Sequence, residues 1–202
     1  MLMPSRCAGC DRPGAVLCRT CRFALVARPR HAAPDGTLAA AAFTGRVRDV
    51  LLGFKYRNRR AVAAHLGGLV VNRLVTAGVR PDLVTWAPTS GRRRRQRGFD
   101  QAELVARQVA RQFGVPCRHL LERTGDAAPQ TGHSRAARLR APSFRAHPRV
   151  PGGHIVVVDD VVTTGATLRS AGATLRAAGA TRVTPVAVAA TPPTAGAARR
   201  AA

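Results

Sequence analysis

An acidic pair in the second half of the chain stands between a strand-like run and a loop of small residues. Residues 155–158 are four consecutive β-branched residues, which is typical of a buried parallel strand. Asp159 and Asp160 follow at the end of that strand, where open α/β sheets bind ligands. Backbone N–H groups at a helix start attract anions, so the small residues that open the next helix predict a phosphate cradle: Thr163, Thr164, Gly165, Ala166 and Thr167. A cradle beside two carboxylates suits a sugar 5-phosphate with its diol.

Two alternative interpretations of this run exist. An apolar strand that ends in two acids can be an ordinary strand that meets its loop. An acidic pair also ends the second nucleotide motif of many ATPases, but that class requires a Gly-x-x-x-x-Gly-Lys-Ser/Thr loop. The single lysine of the chain, Lys55, follows Gly53 and Phe54 and does not fit that loop. The unbroken order of strand, acidic pair and Thr-Thr-Gly favours the sugar-phosphate pocket.

Four cysteines near the amino terminus form two Cys-x-x-Cys pairs: Cys7 with Cys10, and Cys18 with Cys21. Each pair can hold one metal ion from a tight turn, and two such turns complete a tetrahedron. The pattern therefore predicts a structural zinc site rather than free thiols. With four protein ligands the ion has no open position for catalysis. Cys117 stands alone in an apolar setting, which predicts an inert core residue.

The composition indicates a partner with negative charge. The net charge of +23 should attract nucleic acid or a phosphorylated small molecule. Because almost every cation is arginine and alanine is abundant, GC-rich codon usage and a generally solvated basic surface are the alternative explanation. No apolar run approaches the roughly 20 residues that span a bilayer. We expect a cytoplasmic protein without membrane insertion, since no secretory signal pattern is visible.

Strands and helices must alternate to position these residues. Hydrophobic spacing and capping residues predict helices at 46–56, 60–77, 101–112 and 167–178, and strands at 83–87, 155–158 and 182–189. Asp100 is the predicted cap of the third helix. This order predicts an α/β fold with a mostly parallel central sheet flanked by helices. Three regions follow: a zinc module at 1–34, the α/β domain at 35–190 and a disordered tail at 191–202.

The acidic-pair run resembles the phosphoribosyl pyrophosphate (PRPP) motif of the type I phosphoribosyltransferases. Together with the cysteine pairs ahead of it, the chain resembles the ComF family, bacterial proteins linked to competence and DNA uptake. Residues 42–56 are similar to that family's stretch ending Phe-Lys-Tyr. Residues 97–103 are similar to its Arg-Gly-Phe-Asn-Gln-Ala signature, with Asp100 in place of the usual Asn. The resemblance implies the type I phosphoribosyltransferase fold and nucleotide metabolism or DNA uptake as the setting.

The resemblance also implies roles for the site residues. Asp159 and Asp160, as the catalytic pair, bind the ribose 2- and 3-hydroxyls. The loop after them, which by this resemblance also includes Val161 and Val162 and runs to Thr167, holds the 5-phosphate. Magnesium bridges pyrophosphate and ribose oxygens in such transferases. The pyrophosphate needs cations and donors of its own, for which the candidates are Ser90, Gly91, Arg92, Arg97 and Lys55. Alternatively, residues 92–95 form an exposed basic turn that touches no ligand.

Residues 130–144 are similar to the mobile loop that covers the site in related transferases. His133 stands for the usual Leu and Ala137 for an acid, so the resemblance implies binding more strongly than turnover. Two hypotheses follow: a PRPP-dependent transferase of unknown acceptor, and a non-catalytic accessory factor that binds single-stranded DNA. A purely structural zinc protein would leave the acidic loop unexplained. Candidate partners are PRPP or another ribose 5-phosphate ligand, single-stranded DNA, a protein of the competence machinery and a second copy of the chain.

Overall fold

The computed structural model describes residues 5–26, 33–124 and 142–192. Their strands, in chain order, are β1 (Leu38–Ala42), β2 (Leu83–Trp86), β3 (Leu121–Thr124), β4 (Ser143–Ala146), β5 (His154–Val162) and β6 (Arg182–Ala190). Four of them form a parallel sheet in the order β1-β6-β5-β2, and β3 pairs antiparallel with β4. The predicted parallel α/β sheet is confirmed.

The helices are α1 (Arg19–Val26), α2 (Gly45–Tyr56), α3 (Ala63–Thr76), α4 (Gly91–Arg97), α5 (Gln101–Phe113) and α6 (Ala166–Ala177). The predicted helix at 60–77 begins with a separate 3₁₀ turn, Arg60–Val62, before α3. Five short elements were not predicted: α1, α4, β1, β3 and β4. Strand β1 is Leu followed by four alanines, which lack the β-branched pattern of a strand, and it exists because it pairs with β6.

Strand β5 lies at the centre of two apolar layers. Ile155 and Val157 are fully buried on the face that α6 covers, and Val156 and Val158 are fully buried on the face that α3 and α5 cover. Successive side chains of a strand point to opposite faces, so an unbroken β-branched run fits a strand covered on both sides. This double cover fixes the end of β5, where the acidic pair lies.

The cysteine segment packs against α2. Cys7, Ala8, Cys21 and Leu25 share one apolar cluster with α2 residues such as Val50. The domain limits at 34 and 190 stay predictions, and residues 193–202 of the predicted tail lie outside the described residues. Within the described parts of the chain, no helix is long and apolar enough to cross a membrane.

Candidate functional site

The acidic pair lies where the central sheet narrows by one strand. Strand β2 ends at Trp86, which pairs with Val158, while β5 continues to Val162. Beyond Val158, β5 is paired through β6 alone, with Asp159 opposite Ala187. Val161 and Val162, predicted in the phosphate loop, are therefore the last residues of the strand. The end of β2 leaves open space beside Asp159 and Asp160.

A cavity of about 300 Å³ occupies this space. Both carboxylates line it, together with Thr163 and Thr167 from the predicted phosphate loop. It combines three acids, Asp100 among them, with several cations, which suits a ligand that carries both hydroxyls and phosphates. The other lining residues are Phe43, Lys55, Ala87, Pro88, Thr89, Arg93, Arg97, Asp100, Gln101, Ala102, Arg123, Val161 and Thr191.

A smaller cavity of about 120 Å³ lies inside the turn between β5 and α6. Asp159 and every residue from 161 to 168 line it, so the structure brings the predicted cradle residues together around one space. Gly165 precedes α6 with φ of 75°, a conformation that glycine adopts without steric cost. The amino end of α6 and its backbone N–H groups border the cavity, as an anion site requires.

Lys55 lies against the acidic pair. Its Nζ is 2.9 Å from Oδ2 of Asp160, and each side chain is 15% exposed. The sequence placed Lys55 among the pyrophosphate candidates, whereas in the structure its partner is Asp160, one of the two carboxylates predicted to bind the ribose hydroxyls. A cation here offsets the repulsion between two adjacent carboxylates in a partly buried setting.

The pKa of Asp159 is raised by its surroundings. Burial, and next the neighbouring Asp160 carboxylate, raise the pKa of Asp159 to about 8, although the backbone N–H of Asp160 donates to its Oδ1 at 2.7 Å. The carboxyl group of Asp159 therefore holds a proton near neutral pH. A cation that binds between the two carboxyl groups must displace that proton.

The arginine-rich run forms α4 and divides into two groups. Arg93 and Arg97 line the larger cavity, whereas Arg92, Arg94 and Arg95 do not; of these five arginines, Arg97 is half-buried and the other four are exposed. Among the predicted pyrophosphate candidates, Ser90, Gly91 and Arg92 are not part of the described cavity lining. Ser90 instead caps α4, since its Oγ accepts the N–H of Arg93 at 3.3 Å. The exposed-turn alternative thus describes only part of this run.

Arg97 is held by two partners at the cavity. Its Nη1 donates to Oε1 of Gln101 at 3.0 Å, and its Nη2 donates to the hydroxyl of Tyr56 at 3.1 Å. The guanidinium also lies 4.9 Å from the centre of the Tyr56 ring. These contacts orient a cation toward the space beside Asp160 before any ligand binds.

Asp100 joins α5 to the loop after β2. Its Oδ1 accepts the N–H groups of Ala102 and Glu103 at 3.0 and 3.4 Å, which confirms the predicted cap. Its Oδ2 accepts the N–H of Thr89 at 2.8 Å. Burial raises the pKa of Asp100, an effect that these three hydrogen bonds oppose. This side chain therefore positions the loop that leads into α4.

Some cavity residues had no signal in the sequence or only a weak one. Phe43 lies in a stretch compared with the family, but Arg123 and Thr191 belong to no motif. They reach the cavity because β3 and the end of β6 fold beside it. Most of the predicted mobile loop, including His133, lies outside the described residues, which resume at Pro142.

The four amino-terminal cysteines converge. Their Sγ atoms all lie within 4.8 Å of one another, and those of Cys10 and Cys18 are 3.7 Å apart. Tetrahedral zinc with Zn–S bonds of about 2.3 Å needs sulfur atoms about 3.8 Å apart, so these residues fit the predicted ion. Cys117 is separate and half-buried, and burial raises the pKa of its thiol to about 11. That thiol stays protonated at neutral pH, as an inert residue should.

Residues 100–200 match the phosphoribosyl transferase domain family. The matched half of the chain contains α5, β5 with the acidic pair, α6 and β6. The chain belongs to the phosphoribosyl transferase domain family. This match confirms the type I phosphoribosyltransferase fold predicted for the sheet and, with the relatives below, the resemblance to a ComF-type chain.

Curated relatives of this phosphoribosyl transferase domain protein are DNA utilization proteins named YhgH. The protein from Escherichia coli O6:H1 is 36% identical over 124 residues, covering 56% of this chain and 54% of the relative. That from Salmonella typhimurium is 35% identical over 123 residues, with the same coverage. The chain thus spans about half the length of these relatives. A similar solved structure is glutamine PRPP amidotransferase from B. subtilis, 25% identical with a TM-score of 0.43, covering 62% of this chain and 25% of that one.

Proposed function

We propose that the protein binds PRPP with magnesium through its phosphoribosyl transferase domain and acts as a ComF-type transferase linked to DNA uptake or nucleotide metabolism. One observation carries the proposal: Asp159, Asp160 and the loop before α6 line adjoining cavities whose larger member also contains Lys55, Arg93 and Arg97. Since zinc thiolates need reducing conditions, we place the protein in the cytoplasm.

Each part of PRPP has a proposed partner. The carboxylates of Asp159 and Asp160 accept hydrogen bonds from the ribose hydroxyls. Backbone N–H groups of residues 163–167 donate hydrogen bonds to the 5-phosphate. Arg93 and Arg97 donate to the pyrophosphate, where each charge-assisted hydrogen bond contributes roughly 1.5–3 kcal/mol. Magnesium prefers carboxylate and phosphate oxygens, and when bound it neutralises the departing pyrophosphate.

The proposed reaction breaks the bond between the ribose anomeric carbon and the pyrophosphate oxygen. An acceptor forms the new bond to that carbon, and the pyrophosphate leaves with the electron pair. The chain's own contribution is to hold ribose and 5-phosphate still and to stabilise the leaving charge with arginines oriented in advance. Tyr56 and Gln101 orient Arg97 for this role.

Calorimetric titration with PRPP and magnesium tests the proposal. We expect saturable binding that the double variant Asp159→Asn with Asp160→Asn abolishes. The matched control is Asp49→Asn with Glu122→Gln, which removes two negative charges outside the cavity lining. Normal PRPP binding by the acidic-pair variant would show that the pocket is assigned wrongly. A screen for pyrophosphate release with bases, amines and DNA then separates turnover from binding.

A second candidate function is that of an accessory factor that binds single-stranded DNA. The exposed Arg92, Arg94 and Arg95 beside the cavity favour it, and the relatives are named DNA utilization proteins. Binding to single-stranded DNA should weaken as the salt concentration rises. The logarithm of the binding constant should fall with the logarithm of the salt concentration, with a slope of about −0.7 per phosphate contact. The triple variant of these arginines to glutamine should reduce the slope.

The control for this second function is the triple variant Arg80→Gln, Arg111→Gln and Arg176→Gln. It removes the same charge from exposed positions elsewhere. An affinity that stays flat across the salt titration would exclude the electrostatic mode. An equal loss of DNA affinity in both triple variants would indicate that the net charge attracts DNA, rather than a specific site at α4.

A further inference from the structure

The turn between the first two cysteines contacts α2 on both sides of Lys55. We infer that this turn, residues 7–10, positions Lys55 against Asp160, so that the metal-binding segment forms a supporting part of the candidate site. The inference concerns Lys55 itself, and only its ligand-binding consequence rests on the proposed function.

Arg57 ties the end of α2 to the first cysteine turn. Its Nη2 donates to the carbonyl oxygen of Ala8 at 2.6 Å and to that of Gly9 at 3.0 Å. Ala8 and Gly9 are the two residues between Cys7 and Cys10, so Arg57 contacts the backbone that carries two of the metal ligands. Arg57 lies two residues after Lys55, and its own N–H caps α2 by donating to the carbonyl of Gly53 at 3.0 Å.

Gly53 permits the close approach of the turn to α2. A Cβ atom built at this buried position would collide with the carbonyl oxygen of Ala8. Glycine in a helix interior destabilises by roughly 1 kcal/mol relative to alanine, and contact with the turn is the physical reason for it here. Gly9 has the complementary role, since a Cβ there would lie 2.7 Å from Sγ of Cys21 and 3.0 Å from Cγ2 of Val50.

Arg59, four residues after Lys55, makes a third contact with the cysteine segment. Nη2 of Arg59 donates to Oδ1 of Asp11 at 2.7 Å. Asp11 directly follows Cys10. The first cysteine turn and its next residue therefore hold the chain at positions 53, 57 and 59, which bracket Lys55 in the last turn of α2.

The contacts at positions 53, 57 and 59 set the position of the Lys55 ammonium group. Nζ of Lys55 reaches Asp160 at 2.9 Å, a distance that a shift of α2 by about 1 Å would lengthen beyond the range of a hydrogen bond. If the contacts at positions 53, 57 and 59 are lost, Asp160 loses its cation, and the carboxyl groups of Asp159 and Asp160 repel each other more strongly. Arg57 and Gly53 are thus positioning residues that act through Lys55.

Chemical labelling of Lys55 tests this without any ligand. Lys55 is the single lysine of the chain, so its acylation rate can be followed on one peptide by mass spectrometry. Arg57→Ala and Gly53→Ala should both raise the rate roughly tenfold, the change expected when one charge-assisted hydrogen bond is lost. Asp160→Asn gives the rate of the unpaired amine. Arg46→Ala, which removes an exposed arginine from the first turn of the same helix, should leave the rate unchanged.

Two further measurements separate positioning from unfolding. Arg57→Lys keeps the charge but loses the planar donor group, so it should give an intermediate labelling rate while the zinc content stays at one ion per chain. If Arg57→Lys and Gly53→Ala keep zinc and their labelling rates equal that of the wild-type protein, the inference is wrong.

The PRPP titration then tests the consequence. Arg57→Ala should weaken PRPP binding in the wild-type background and have no further effect in the Lys55→Ala background, because it acts through Lys55. Additive losses in the double variant would contradict the inference and leave the proposed function intact. No PRPP binding by the wild-type protein would instead overturn the proposed function, while the labelling result still decides the role of the turn.

Discussion

Nζ of Lys55 and Oδ2 of Asp160 lie 2.9 Å apart, in a chain that otherwise uses arginine for its basic side chains. An ammonium is a compact point charge, whereas a guanidinium is planar and needs more room. The contact explains why lysine stands at this position of α2. It also connects α2, which precedes the matched domain, to the acidic pair within it.

Lys55→Arg should weaken PRPP binding roughly tenfold, because the larger planar group cannot replace the single contact to Asp160 without displacing the cavity wall. Calorimetry with magnesium measures the change. Arg46→Lys, an exchange of the same kind on the exposed first turn of α2, is the control. An unchanged affinity in Lys55→Arg removes the argument that the site requires an ammonium.

Ligand binding should depend on pH through the acidic pair. Because the pKa of Asp159 is raised to about 8, the protein must release a proton before both carboxylates can bind a divalent cation. Magnesium-dependent PRPP affinity should therefore rise by up to about tenfold between pH 7 and pH 9 and level off above about pH 9. Titrations at half-unit steps measure the profile. A flat profile in the wild-type protein would contradict the assignment.

The free energy of unfolding should depend on pH in the opposite direction to PRPP affinity. The folded pKa of Asp159 lies above its usual value of 3.8, so the folded state binds more protons than the unfolded state between about pH 4 and pH 8. The free energy of unfolding should fall as pH rises through that window, by up to about 1.4 kcal/mol per pH unit from this group. Denaturant unfolding at pH 5.5, 6.5, 7.5 and 8.5 measures the slope.

Asp159→Asn removes the titrating group and should be more stable than the wild-type protein at pH 8, with a flatter slope. Asp49→Asn, which removes the same charge at a partly exposed position outside the cavity lining, is the matched comparison. Equal slopes in all three proteins would show that Asp159 ionises normally. Greater stability of Asp159→Asn together with loss of PRPP binding would fit a carboxylate retained for function rather than for folding.

The sequence predicted the parts of the site that come from one continuous segment. The β-branched run before Asp159 predicts a strand buried on both faces, and the small residues after it predict the turn into α6. The pairing of Lys55 with Asp160 could not be predicted, because 105 residues separate them and their contact depends on how α2 packs against the sheet. Arg123 and Thr191 reach the cavity by the same kind of long-range packing.

Some short helices and strands could not be predicted from the sequence either. Strand β1 consists mainly of alanine and forms by pairing with β6, and α4 consists mainly of arginine and is stabilised by the caps Ser90 and Gly98. Neither has a hydrophobic period that could reveal it. The helix cap at Asp100 was predictable because its acceptor role is local, but its bond to the N–H of Thr89 was not.

Asp100→Ala should destabilise the fold and disturb the candidate site together. It leaves the N–H groups of Ala102 and Glu103 without their cap and removes the acceptor for Thr89, at a cost of roughly 1–3 kcal/mol. Asp100→Asn keeps one carbonyl oxygen, so it can serve the cap or Thr89 but not both, and should show an intermediate loss.

Denaturant unfolding and PRPP titration of both Asp100 variants check this prediction. Glu103→Gln, which changes an acid in the first turn of the same helix without removing a partner of Thr89, is the control. If Asp100→Asn is as stable as the wild-type protein, the hydrogen bond from Thr89 has little energetic importance.

Loss of one cysteine ligand should remove the metal and loosen the segment around it. Cys10→Ser is expected to reduce zinc from one ion per chain to almost none. It should also lower the melting temperature, because Ala8, Cys21 and Leu25 pack into the apolar cluster of α2 only while the turns are held. Zinc is measured by elemental analysis and melting by calorimetry. Cys117→Ser, which changes a thiol far along the chain from the four ligands, should leave zinc content unchanged. Full zinc in Cys10→Ser, or its loss in Cys117→Ser, would show that the four amino-terminal cysteines are not the ligands.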